Sequence, residues 1–181
     1  YDTVPFAYRS APANENKIVS AIHYLHNYTV PVHDSFTVRV KPFKVLSEAD
    51  KEKVVMQLVS NHKTEAVKGK WLNDGMEAKF RDLGIVKLLI DNNPPRLTPT
   101  NFINGGSASG KKFISFVATD DVGELKSFNA LLDGKWLLFS RKKDSFTHVF
   151  DEKTTPGKHE LVVTVEDLAG NVTEKTFSFI R

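Results

Sequence analysis

The clearest pattern along the chain is alternation of apolar and polar positions with a period of two, the mark of a half-buried strand. In Phe113–Thr119, the residues Ile114, Phe116 and Ala118 share one face. Gly157–Glu166 puts His159, Leu161, Val163 and Val165 on one side, with Lys158, Glu160, Thr164 and Glu166 on the other. Between them, the strand patterns Glu124–Leu132 and Lys135–Ser140 flank Asp133-Gly134, a pair suited to the positive φ angles of a tight hairpin. Phe146, His148 and Phe150 alternate with Ser145, Thr147 and Val149. Val172–Ile180 follows the turn Asp167–Asn171 and faces Phe177 and Phe179 inward. Short strands with turns about every eight to twelve residues predict an antiparallel sandwich.

The first half is less regular. Phe36, Val38 and Val40 alternate with Thr37, Arg39 and Lys41, and Val54, Met56 and Leu58 share a face of Lys53–Ser60. Met76, Ala78 and Phe80 alternate with Glu77, Lys79 and Arg81, and Gly84–Asp91 reads as a further strand. Ser47-Glu48-Ala49-Asp50 has an N-capping serine and acids in the first turn, so one helical turn is expected before Val54-Val55. In Asn16–His26, Ile18, Ile22 and Leu25 fit helical spacing about as well as alternation, and the β surroundings favour a strand. Asn92-Asn93-Pro94-Pro95 removes two backbone donors and places the boundary, giving domains 1–91 and 92–181. Pro99 and Asn104–Gly110 extend that punctuation and read as a flexible connector.

Composition narrows the function classes. At 181 residues, 40% hydrophobic and 26% charged, the chain has globular usage. Its apolar runs are strand-sized, as in Gly84–Ile90, which Lys87 interrupts, so no transmembrane segment is expected. Lys and Arg total 25 against 22 acids, a formal charge of +3. The densest basic cluster, Arg141-Lys142-Lys143, ends at Asp144 and lacks the interleaved aromatics of a nucleic-acid face, so no nucleic-acid partner is expected. The absence of cysteine excludes disulfides, thiol catalysis and cysteine-ligated metals. Starting at Tyr1 with no signal segment, the chain reads as a piece of something longer.

Candidate chemistry is sparse. His23 and His26 are three apart, the spacing of a shared helical face, but no acid lies near to complete a metal site. His148 and His159 fall on apolar strand faces and read as packed, hydrogen-bonded histidines. No Gly-x-Ser-x-Gly elbow is present, and Gly105–Gly110 runs into Lys111-Lys112-Phe113 rather than a phosphate-loop ending. The acidic turns Asp120-Asp121-Val122-Gly123-Glu124 and Asp167–Asn171 offer oxygens of the type Ca²⁺ takes, without EF-hand spacing. Such turns also serve local backbone bonding. No catalytic, metal or cofactor-binding residue is therefore assigned. Trp136 reads as the buried tryptophan of a central strand, while Trp71 in its turn-rich stretch fits core or contact surface. Trp71, Asp120, Asp121 and Glu124 are the candidate contact residues.

Two stretches carry a family resemblance. The first runs through Gly69-Lys70-Trp71, Ala78-Lys79-Phe80-Arg81-Asp82-Leu83-Gly84, Leu88-Leu89-Ile90-Asp91 and Pro94-Pro95. The second comprises Asp133-Gly134-Lys135-Trp136, Phe150-Asp151, Pro156-Gly157-Lys158-His159 and Val165–Asn171. Together they resemble the non-catalytic C-terminal region of lysostaphin-type zinc peptidoglycan endopeptidases of Gram-negative bacteria. The resemblance implies an all-β chain of two tandem immunoglobulin-like antiparallel β-sandwich domains. It further implies a periplasmic or cell-envelope location and, as partner, an upstream peptidase domain or cell-wall glycan or peptide. The family's zinc site needs His-x-x-x-Asp and His-x-His. Four residues past the histidines stand Asn27, Val30, Thr37, Ala66, Glu152 and Val163, and no two histidines are two apart, so no zinc ligand carries over. The expected role is accessory rather than enzymatic. A carbohydrate-binding module and a surface adhesin repeat are the alternatives.

Overall fold

The computed structural model describes residues 5–61, 63–152 and 154–181. The chain divides into two compact units, Tyr1–Asn92 with Val122–Glu124, and Asn93–Asp121 with Leu125–Arg181. Each unit is built from two antiparallel-dominated sheets, the immunoglobulin-like sandwich arrangement.

The first unit contains β1 (Tyr8–Ala11), β2 (Ile22–Leu25), β3 (Phe36–Val40), α1 (Glu48–Lys53), β4 (Val54–Ser60), β5 (Lys63–Val67), β6 (Lys70–Leu72), β7 (Gly75–Phe80) and β8 (Gly84–Ile90). Its sheets have the orders β1-β2-β8-β4-β5 and β3-β7-β6. Val38, Val40, Met76, Ala78 and Phe80 from the smaller sheet and Leu25, Val54, Met56, Leu58, Val86 and Leu88 from the larger belong to one buried cluster. The helix starts where expected. Ser47 Oγ accepts the Asp50 N–H at 3.1 Å, and at Val54 the backbone turns extended and enters β4. Within 16–26 the chain forms β structure rather than a helix, with β-bridges Ile18–Leu89 and Ser20–Pro42 ahead of β2.

The second unit contains β9 (Arg96–Pro99), β10 (Gly106–Ser107), β11 (Phe113–Thr119), β12 (Leu125–Leu132), β13 (Lys135–Trp136), β14 (Ser140–Lys142), β15 (Ser145–Val149), β16 (Lys158–Asp167) and β17 (Val172–Ile180). The orders are β10-β17-β16-β12-β13 and β14-β15-β11-β9. The core is aromatic. The rings of Phe116 and Phe177 lie 5.0 Å apart in a tilted contact of the kind aromatic quadrupoles favour, and those of Phe128 and Phe146 stack nearly parallel at 4.1 Å.

Three expectations for this half change. The stretch read as a flexible connector is an ordered edge. Gly106–Ser107 pairs in parallel with β17, and the N–H groups of Gly105 and Ala108 donate to the carbonyls of Ser178 and Ile180, each at 2.7 Å. Lys135–Ser140 is not one strand, because the chain leaves one sheet after Trp136 and joins the other at Ser140. Trp136 is not core and is 64% exposed. The register explains it. Ala130 and Leu132 face inward, so Leu131 faces outward, and Trp136 stands directly opposite Leu131. Leu137 takes the buried position instead.

Candidate contact surface

Trp71 lies in β6, an edge strand of the smaller sheet of the first unit, and is half-buried. Its indole N–H donates to the Lys51 carbonyl at 3.2 Å, and the Lys51 ammonium stands 5.8 Å from the ring centroid. Opposite it runs the segment that follows β3. Pro42 has no N–H to continue a ladder, and the chain from Lys41 to Leu46 tucks Leu46 into the core while presenting Phe43 and Val45 to solvent. Phe43 is 59% exposed and Val45 95%. With Lys41, Lys44, Asn73 and Asp74 these residues line a groove of about 450 Å³.

The charge of this groove is positive. Asp74 contributes its one carboxylate, which Lys41 approaches at 2.6 Å and Arg39 at 3.6 Å. The hydrogen bond from Lys41, with help from Arg39, holds the Asp74 carboxyl below its ordinary range. An apolar floor with a cationic rim suits a partner carrying apolar and acidic groups. Sequence reasoning identified Trp71 and missed Phe43 and Val45. The available signal was Lys41-Pro42-Phe43-Lys44-Val45, apolar residues interleaved with lysines directly after a strand.

The other candidate residues do not join Trp71. Asp120 and Asp121 line a separate recess of the second unit with Asn93, Pro94, Arg96 and Thr119. Glu124 is exposed, at the end of the stretch Val122–Glu124 that groups with the first unit. In the second acidic turn, both Asp167 carboxylate oxygens accept hydrogen bonds from Asn171, one from its backbone N–H and one from its side chain, each 2.9 Å. That is the local backbone-bonding use of an Asp/Asn turn.

The histidines are placed by packing. His23 lies in β2 and His26 just past its end at a φ of 51°, and each stacks on a different ring, Tyr8 and Phe6. His148 is buried with Nδ1 2.9 Å from the Leu138 carbonyl and Nε2 3.2 Å from Thr154 Oγ1. His159 is buried between Asp133 and the Thr155 carbonyl. His62 lies outside the described residues.

These two sandwiches, with a solvent-facing groove in the first, define an all-β protein of the immunoglobulin-like class. The family follows from the first unit: residues 1–91 match the Zu5-like domain family, and the chain belongs to it. Among solved structures the chain is similar to fibronectin(III)-like modules of CbhA from Clostridium thermocellum. That similarity is 20% identity over 47% of this chain and 94% of that one, with a TM-score of 0.35. No curated protein matches. Among the described residues, no helix is long and apolar enough to cross a membrane.

Proposed function

We propose that the chain is a non-catalytic docking segment of an exported cell-envelope protein, positioning or regulating a peptidoglycan metallopeptidase domain that lies upstream. The groove between Trp71 and Phe43–Val45 is the observation that carries this reading, because it gathers exposed apolar side chains and lysines where no core contact requires them. The peptidase association is supported by the motif resemblance of Gly69–Asp91 and Asp133–Asn171. The mechanism is surface recognition: the sheets supply a rigid frame and the loop Lys41–Leu46 supplies the contacts. Co-sedimentation of the chain with purified peptidoglycan, or binding to a separately produced lysostaphin-type peptidase domain, tests it. The expected result is binding that Phe43→Ser with Lys44→Glu weakens at least about tenfold. Absence of binding to both, or binding that ignores these substitutions, overturns it.

The glycan-module reading is favoured by a different observation. The exposed Trp136 heads a row across the outer face of its sheet, paired with Leu131, which is opposite Val162, which is opposite Thr176. A flat row of this kind offers a stacking platform for a sugar ring. Under this reading, soluble glycan fragments change Trp136 emission and leave Trp71 emission unaltered.

A further inference from the structure

The N-terminal strand is held in an unusual way. Tyr8, Arg9 and Ser10 of β1 are all exposed, so the strand buries little apolar surface against the sheet it edges. Its anchors beyond the backbone ladder are rings of the adjoining segment. The Ala7 N–H donates to His26 Nδ1 at 3.1 Å, and the His26 N–H donates back to the Ala7 carbonyl at 2.8 Å, a reciprocal clasp. Phe6 stacks on the His26 ring at 5.7 Å and 24°. One turn of the alternation away, the Tyr8 hydroxyl lies 2.8 Å from His23 Nδ1, with the rings 6.0 Å apart and 20° from parallel. Arg9 lies 3.7 Å over the ring of Tyr24.

We infer that β1 is an acid-released strap, clasped over the β2 edge by neutral His23 and His26 and freed when these two imidazoles take up protons. The clasp at His26 works in one protonation state only. Nδ1 accepts the Ala7 N–H through its lone pair, so the ring carries its proton on Nε2. A proton on Nδ1 removes the acceptor and points a second N–H at the Ala7 N–H. At His23, Nε2 is buried and has no hydrogen-bond partner among the described residues. Charging that ring in place costs desolvation, and opening the strap lets water reach it. Burial accordingly pulls the His23 pKa down.

The described residues that the sheet register sets directly opposite His23 are uncharged. On β1 the opposite residue is Ser10, with the Tyr8 phenol on the same face; on β8 it is Val86. Arg9 stands opposite Tyr24, with its guanidinium over that ring, on the other face of the sheet. Release exposes the backbone of β2 as a sheet edge able to accept an extended strand. The five-stranded sheet thus gains a conditional edge, closed near neutrality and open in mild acid.

Amide hydrogen exchange of the full chain, corrected for intrinsic rates, tests this at about pH 7.5 and about pH 5. The expected result is a loss of protection of about tenfold or more over Tyr8–Ala11 and Ile22–Leu25 on acidification, with β4 and β8 retaining theirs. The double variant His23→Phe, His26→Asn is expected to keep protection at both pH values. Its asparagine Oδ1 stands where Nδ1 stood, does not titrate, and tolerates the φ of 51° found at His26. Protection unchanged by acid in the wild type overturns the inference, as does equal loss in β4 and β8 or equal loss in the double variant. Should that variant fail to fold, wild-type NMR suffices. Phe6 and Tyr8 ring signals are expected to shift between about pH 7.5 and about pH 5, and signals that stay flat over that interval overturn the strap.

Discussion

His159 Nδ1 lies 2.6 Å from Asp133 Oδ2 while its Nε2 lies 2.6 Å from the Thr155 carbonyl, so both ring nitrogens face acceptors. A neutral imidazole donates from one nitrogen only, so this geometry favours the imidazolium. Burial opposes that charge, and the bonds to Asp133 and Thr155 outweigh it, raising the His159 pKa above its ordinary value. Asp133 is kept ionised first by the Glu160 N–H, which donates to its second oxygen at 2.9 Å, and further by His159 itself.

The sign of the pH dependence follows. A histidine with a raised folded pKa contributes stability that is fully present below its unfolded value, about 6.5, and lost as pH rises through the folded value. Asp133, with a lowered folded pKa, loses its contribution only as pH falls below the ordinary carboxylate range. Thermal melts of the second unit are expected to fall from about pH 6 to about pH 8.5 in the wild type. In His159→Gln they are expected to be lower at pH 6 and flat across the interval.

The first unit is expected to respond with the opposite sign. His23 has a lowered folded pKa, so its contribution is present above the unfolded value and is lost on acidification. Thermal unfolding followed by Trp71 fluorescence in a Trp136→Phe background is expected to show a midpoint that drops from pH 7.5 to pH 5. A midpoint that rises over that interval contradicts this assignment.

Phe177 is buried against Phe102 and Phe116, at ring separations of 5.9 Å and 5.0 Å. Phe177→Ala is expected to cost ~3–5 kcal/mol through lost transfer energy and the cavity left behind. Urea melts giving less than about 1 kcal/mol would contradict the inward orientation of β17.

Two glycines separate crowding from backbone strain. A Cβ at Gly84 would run into the Val59 carbonyl oxygen across the β4–β8 pair, and a backbone atom in a ladder cannot step aside. Gly84→Ala is expected to destabilise by about 1–3 kcal/mol or more through overpacking. Gly105 has open space around it and φ +78°, so Gly105→Ala is expected to cost only about 1–2 kcal/mol, for a left-handed backbone. Denaturant midpoints of the two variants check the order.

Trp136 and Trp71 differ in environment as well as position. Iodide is expected to quench most of the emission of Trp71→Phe, which retains the exposed Trp136, and much less of Trp136→Phe. The reverse order would place Trp136 in the core after all.

Much of the fold was legible because alternation has only one free choice, which face turns inward, and burial of Ile114, Phe116, Ala118, Leu161, Val163 and Val165 settles it consistently. The Ser47 cap and the Asp133-Gly134 hairpin were readable for the same local reason. The contact surface was half legible. Trp71 stood out by residue type, whereas Phe43 and Val45 look in sequence like any other strand residues. Trp136 was misread because residue type favoured burial and register decided against it.

The sequence by itself determined the β class, the inward faces of strands such as Phe113–Thr119 and Lys158–Asp167, and the helix start, all of which depend on side chains within a few residues of one another. Only the tertiary structure decided which strands share a sheet, that Gly106–Ser107 pairs with Phe179–Ile180, and that Leu137 rather than Trp136 fills the interior. The same holds for the clasp of Ala7 on His26 and of His159 between Asp133 and Thr155. These depend on partners brought together by packing of whole sheets, and no local pattern encodes how far apart such partners end in space.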